Sequence, residues 1–207
     1  MLNYARELKE NNKINAVILI TGTPGVGKTT ITHKLASKLG ANYIDINELV
    51  KTENLVTSFD NLRKTWIADT GEVSKRLKQI LVQSKKTTII EGHYAIQVVP
   101  KNVLTIVFVL RRDPYELKKT LEKRGYSENK VNENVAAEIL DVCLCEVISN
   151  CEIKKICEID TSKKLPEEVV EELILRLKKK EQCKIGIVDW LNKLENEGEL
   201  ESFLKHI

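Results

Sequence analysis

Residues Ala16 to Gly40 read AVILITGTPGVGKTTITHKLASKLG. Six apolar or β-branched residues run into a loop carrying Gly22, Gly25 and Gly27, and a helix-spaced segment follows until Gly40. A short continuous apolar run of this kind predicts a buried parallel strand, and the terminal glycine a helix stop. The loop fits G-x-x-x-x-G-K-[ST] from Gly22 to Thr29. Strand before and helix after are the context that gives this pattern meaning. Glycines let backbone N–H groups turn onto a phosphate with no Cβ in the way, and the helix N-terminus adds a favourable dipole. Gly25, Gly27, Lys28, Thr29 and Thr30 are therefore the candidate nucleotide contacts. Lys28 is expected to reach the outer phosphates, Thr29 to ligate Mg²⁺ and Thr30 to reach the α-phosphate.

Outward from this loop, strand and helix signals alternate. NYIDI, Thr87–Glu91, Leu104–Leu110 and KICEID read as further short strands. Glu72–Gln83, the segment from Asp113 to Arg124, and PEEVVEELILRLKKK read as helices, with Asp113 as N-cap and Pro114 at the first position. Ser127 to Val147 reads as one long helix, and Asn47–Trp66 as short helices. The expected fold is α/β: a three-layer domain with a parallel five-stranded sheet over residues 1–180, followed by a helical extension over 181–207.

A phosphate loop needs a second acidic group at the end of a neighbouring buried strand. Glu91, ending TTIIE, is the candidate metal residue beside Thr29, and His93 in the following Gly-His would stand by the transferring phosphate. Positive charge over the transferred oxygens can come from Leu110-Arg111-Arg112 or from Lys123-Arg124-Gly125. Arg124, before a glycine, suits a short lid.

The 207 residues carry 33 basic and 30 acidic side chains, a net charge of +3, which gives no general argument for nucleic acid. The N-terminus MLNYARELKENNK is too polar for a signal peptide, and no apolar run approaches the ~18 residues of a membrane span. Five cysteines, with no C-x-x-C pair, speak against a disulfide framework or a thiolate zinc site, and reduced thiols suit the cytoplasm.

Together ITGTPGVGKTT, EGHYA, VFVLRRDPYELKKTLEKRGYSENKV and NVAAEILDVCLCE resemble the adenylate kinase isoenzyme 6 family, the CINAP-like kinases of archaea and eukaryotes. The resemblance spans about Ile14 to Asp160 and suggests an archaeal member. It implies a nucleoside monophosphate kinase of short-lid type, using ATP and Mg²⁺ to phosphorylate AMP or another monophosphate, with ATPase activity. It also implies a role in maturing the 3′ end of small-subunit rRNA, through small-subunit ribosomal protein eleven of the platform and transient pre-ribosome contact. By position it makes Lys28, His93 and Arg124 catalytic, and places the monophosphate-binding region at about 45–69 and the lid at about 123–133. Lys51 stands where an acceptor-gripping arginine is expected, and lysine lacks the bidentate fork. A monomer is expected.

Two other readings share the loop. One is an assembly ATPase with vestigial kinase activity; the other is a small-molecule kinase of the shikimate or cytidylate type, against which the RGYSE segment stands. For a basic ribosomal partner, Lys118, Lys119, Lys123, Arg124 and Lys130 form a repelling face, and Glu133, Glu138 and Asp141 are the acidic docking candidates.

Overall fold

The computed structural model describes residues 16–60 and 65–205. The N-terminal segment read above as no signal peptide lies outside them, as do residues 61–64 of the monophosphate region and the last two residues of the extension.

The glycine-loop strand is β1 (Val17–Thr21), and α1 (Lys28–Leu39) follows the loop. Then come β2 (Asn42–Asp45), α2 (Ile46–Thr52), β3 (Val56–Asp60), β4 (Thr65–Ala68), α3 (Thr70–Gln83), β5 (Thr88–Glu91) and α4 (Ala95–Val98). The second half has β6 (Leu104–Arg111), α5 (Pro114–Lys123), α6 (Glu128–Ile139), α7 (Val142–Asn150), β7 (Ile156–Asp160), α8 (Pro166–Leu177), α9 (Trp190–Asn196) and α10 (Leu200–Leu204).

Five strands form one parallel sheet in the order β2-β5-β1-β6-β7, as the alternation of strand and helix signals predicts. Side chains alternate across it, because successive Cβ atoms point to opposite faces. Ile18, Ile20, Phe108 and Leu110 enter one core with Leu35 of α1, Leu117 of α5, Val135 of α6 and Leu173 of α8. Val17, Leu19, Val107 and Val109 enter the other with Val50 of α2, Leu77 of α3, Ile96 of α4 and Val147 of α7. Two apolar layers on one sheet make the three-layer architecture and hold the C-terminal strand ends in register, with Ile20 opposite Glu91 and Asp45 opposite Glu91.

Asp113 caps α5 by accepting from the N–H groups of Tyr115 (2.9 Å) and Glu116 (3.3 Å). Four expectations are corrected. Past Thr52, the described part of the Asn47–Trp66 segment holds strand instead of helix: β3 and β4 pair antiparallel, and Phe59 meets Trp66 edge-on at 5.0 Å. Threonine, phenylalanine, tryptophan and isoleucine favour the pleated state, and a cross-strand aromatic pair adds to it.

The Ser127–Val147 helix is broken into α6 and α7, with Asp141 in the left-handed region at φ 56°. Arg111 is the physical reason. Its guanidinium takes the carbonyl of Glu138 (2.9 Å) and the Asp141 carboxylate, drawing the helix end away from its own ladder.

The cysteine reading also fails. Cys157 of β7 and Cys183 are joined in a disulfide, with Cα atoms 4.6 Å apart. Backbone pairing of Glu158 N–H with the Lys184 carbonyl (2.9 Å) brings the two half-cystines together, which linear spacing cannot reveal. Finally, Glu138 cannot be a docking residue, because it is buried within the Arg111 cluster.

No helix among the described residues is long and apolar enough to cross a membrane. The extension forms two short helices against the domain. Trp190 and Leu194 are buried in the first core, and Tyr115 packs edge-on against Phe203 at 4.9 Å.

Candidate active site

The loop between β1 and α1 takes backbone angles that side chains resist: φ is +139° at Gly22, +101° at Gly25 and +99° at Gly27. At Gly22 a Cβ would lie 2.3 Å from the Leu110 carbonyl oxygen, so the neighbouring strand allows only glycine. The loop is also bolted from behind. Thr161 donates to the Val26 carbonyl (3.2 Å) and Arg112 to the Gly25 carbonyl (3.4 Å).

Lys28 bends back across the cradle. Its ammonium donates to the carbonyls of Gly22 (2.8 Å) and Thr23 (3.1 Å). Desolvation lowers its pKa, Cys143, Glu91 and Glu138 oppose that, and the charge of Arg124 adds to it. An anion in the cradle would relieve the desolvated ammonium, which is what a phosphate supplies.

Thr29 and Thr30, at the start of α1, are exposed at the loop mouth. Thr29 donates its hydroxyl to Glu91 Oε1 at 2.8 Å, and Tyr43 of β2 donates to the same oxygen at 3.0 Å. The other carboxylate oxygen, Oε2, is buried and has no hydrogen-bond partner among the described residues. A buried anionic oxygen left unpaired is costly and needs a reason. Mg²⁺ fits the place: a hydroxyl and a carboxylate side by side, with one oxygen free. The described residues contain no cluster of three His, Cys, Asp or Glu able to hold a metal ion, so a cation here would take its remaining oxygens from nucleotide and water.

His93 follows two residues after Glu91, with its ring edge-on to Tyr94 at 4.8 Å. Solvent reaches part of the imidazole, but desolvation by the protein on its other side, then the charge of Lys28, lowers its pKa to about 4, against the pull of Asp45. The ring is thus held neutral near pH 7 and can accept a proton or a hydrogen bond. Gly92 serves packing rather than substrate approach: a Cβ there would lie 3.1–3.2 Å from the Cβ atoms of Ala95 and Ile46.

Arg124 is exposed at the C-terminus of α5, before Gly125 at φ +73°. The stretch expected as the lid, 123–133, comprises the end of α5, a short turn and the start of α6, where Lys130 lies over the Tyr126 ring at 4.5 Å. Lys51 is exposed in the last turn of α2.

Known proteins resemble this chain in sequence and in fold. The model of the AAA domain family matches residues 18–141. "Putative adenylate kinase" of Methanocaldococcus jannaschii is 43% identical over 176 residues, covering 85% of this chain and 93% of that protein. The protein of the same name in Pyrococcus furiosus is 37% identical over 182 residues, covering 84% and 91%. The chain belongs to this adenylate kinase family. Among solved structures, shikimate kinase from Acinetobacter baumannii superimposes with a TM-score of 0.62 at 15% identity, over 86% of this chain and 98% of that one. A gluconokinase from Sinorhizobium meliloti follows at 0.50 and 14%, over 81% and 94%. These two likenesses speak to the fold, that of a P-loop kinase.

Two arginines of this kinase depart from the reading of the sequence. Arg111 is buried and holds Glu138, Glu158 and Asp141. Burial works against its charge, and the three carboxylates outweigh that and raise its pKa. It is therefore structural and cannot reach a phosphate. Arg112 faces the back of the loop and Glu116 (3.3 Å). Tyr43, Thr23 and Glu138 were missed. Tyr43 lay in a strand read from the sequence, NYIDI, whose pairing with β5 sets its end beside Glu91, whereas Glu138 sits 115 residues from Thr23 and needs the tertiary fold.

Proposed function

We propose that this kinase transfers the γ-phosphoryl group of ATP to AMP, giving two ADP, and that it is a member of the isoenzyme 6 branch. The observation that carries the reading is Glu91 at the loop mouth, with one oxygen on Thr29 and Tyr43 and the other buried and free. That is a place built for the cation that accompanies ATP.

In this reading an AMP phosphate oxygen attacks the γ-phosphorus in line, and the bond from that phosphorus to the β–γ bridging oxygen breaks, releasing ADP. Lys28 leaves the loop carbonyls for the phosphate oxygens. Thr29 and Glu91 would hold Mg²⁺, which would supply positive charge against the nucleotide phosphates. Arg124, swung in from the α5–α6 turn, covers the transferring group, and Asp45 to Asp69, with Lys51, holds the acceptor. AMP brings a nucleophile that is already ionised, whereas water in place of AMP can donate a hydrogen bond to neutral His93, and that orients it for ATP hydrolysis.

The RGYSENKV stretch, where α5 turns into α6, also supports a role in small-subunit maturation, with ribosomal protein eleven as partner. With Glu138 buried and the half-buried Asp141 carboxylate engaged by Arg111, Glu133 is the exposed acidic contact left among the three candidates. A cytoplasmic site of action follows from these substrates. Residues 181–207 form the extension in this division, and the chain acts as a monomer.

The test is ATP turnover without AMP, with AMP, and with the purified ribosomal protein. ADP formation that needs AMP supports the kinase reading. Turnover that ignores AMP but responds to the ribosomal protein makes the assembly ATPase the function, and phosphorylation of shikimate instead of AMP sinks both.

A further inference from the structure

The carboxylate of Glu138 is buried in α6 and engages four donors. Oε1 accepts from Arg111 Nε (2.8 Å), Arg112 N–H (3.0 Å) and Trp190 Nε1 (3.2 Å). Oε2 accepts from the Thr23 hydroxyl at 2.5 Å. Thr23 belongs to the phosphate loop, and its carbonyl receives Lys28. One carboxylate therefore links the loop, the end of β6 and the first helix of the C-terminal extension.

We propose that Glu138 is a positioning residue for the phosphate loop, and that the extension sets nucleotide affinity through it by way of Trp190. An amide could not do the same work. Turned either way, its NH₂ would face a donor, either the Thr23 hydroxyl or the Arg111, Arg112 and Trp190 groups. Trp190 is itself held firmly. Lys193, one turn further along α9, pairs with Asp113, and Tyr115 donates to Glu197 (3.0 Å). Upstream, the Ile187 N–H donates to Glu158 (2.9 Å), and the disulfide pins residue 183. The indole N–H thus has a fixed place from which to hold Glu138. Glu138 fixes the Thr23 side chain, and the Thr23 carbonyl sets where Lys28 rests. A loop held in its binding shape before the nucleotide arrives loses less freedom on binding.

The experiment uses the full chain and four variants: Trp190→Phe, Thr23→Val, their double, and Thr23→Ser. ATP affinity with Mg²⁺ is measured by calorimetry, alongside kcat, KM for ATP and Tm. Losing a charge-assisted hydrogen bond in this chain should weaken ATP about three- to tenfold for Trp190→Phe and for Thr23→Val. The double should be no weaker than the weaker single, Thr23→Ser should restore affinity, and Trp190→Phe should leave kcat within about twofold. Three results would overturn the proposal: Trp190→Phe lowering Tm with ATP affinity unchanged, single effects that multiply in the double, or Thr23→Ser no better than Thr23→Val. The proposal rests on the kinase reading only in taking ATP as ligand. Absence of AMP phosphorylation in the wild type defeats that reading while leaving these affinities measurable, and a wild type that binds no ATP defeats both.

Discussion

Replacing Glu91 by glutamine should make the protein without nucleotide more stable and, with Mg²⁺ and ATP, less so. The amide oxygen of glutamine can accept the same two hydroxyls, from Thr29 and Tyr43. What changes is the buried partnerless oxygen, whose place is taken by the amide NH₂, still unpaired but uncharged. An unpaired buried polar atom costs on the order of 1–3 kcal/mol, more when charged. Against the gain stands the lost attraction between Glu91 and Lys28. A net stabilisation of about 1–2 kcal/mol remains, or about 2–8 °C in Tm for a chain of this size. Mg²⁺ with ATP at about a hundred times the dissociation constant should raise wild-type stability by about 2.7 kcal/mol. The variant, with no anionic ligand for the cation, should gain much less, so the order of the two melting temperatures should invert. Thermal unfolding of both proteins, with and without Mg²⁺ and ATP, is the assay. A variant less stable than wild type without nucleotide, or one gaining the same shift from it, would refute the reasoning.

Lys28→Ala should cost about 3 kcal/mol of transition-state stabilisation, or about a hundredfold in turnover measured by ADP release, because it removes the ammonium that lies across the loop carbonyls. With its pKa lowered to about 4, His93 should keep the rate level from pH 8 down to about 5 and give an acid limb only below that. The same depressed pKa leaves the histidine's contribution to stability intact above the unfolded value near 6.5 and removes it as pH falls toward 4; a pH–rate profile with a His93-dependent limb near 6.5 contradicts the assignment. Gly22→Ala should lower stability by about 3 kcal/mol, since a Cβ 2.3 Å from a strand carbonyl cannot move aside. Gly40→Ala, left-handed but with open space around it, should cost only about 1–2 kcal/mol, and calorimetric melting of the pair should separate them.

The sheet was readable because burial on both faces writes itself as nearly continuous apolar runs: VILIT, TIIE and LTIVFVL became strands of it, as did ICEID despite Glu158 in its middle. The loop was readable because its glycines are demanded by local backbone angles. Glu91 could be picked out as the one acid ending such a run beside β1. What escaped depends on distant partners. Past Thr52, the segment to Trp66 carries too little periodicity to reveal a hairpin held by one aromatic pair. The break at Asp141 is imposed by Arg111, thirty residues earlier, whose own position at a strand end made it look like a substrate contact. Glu138 lies in an amphipathic helix where a glutamate ordinarily faces water. Only the packing of α6 on the loop and on Trp190 turns it inward.

The Cys157–Cys183 bond has a consequence for the chain as a polymer. It closes a covalent ring in which the two cysteines stand 26 positions apart, enclosing the end of β7 and all of α8. Fully extended, 26 residues would span at most about 85–95 Å. With its ends only 4.6 Å apart, that ring is subtracted from the contour of the oxidised chain. A molecule pulled from its two termini should therefore stop short of its full length by nearly that amount, and a reductant added under tension should release the hidden segment in a single step. Until then, a nick in the exposed run from Lys178 to Glu181 would cut the backbone without separating the pieces, leaving the extension tethered to the sheet it covers.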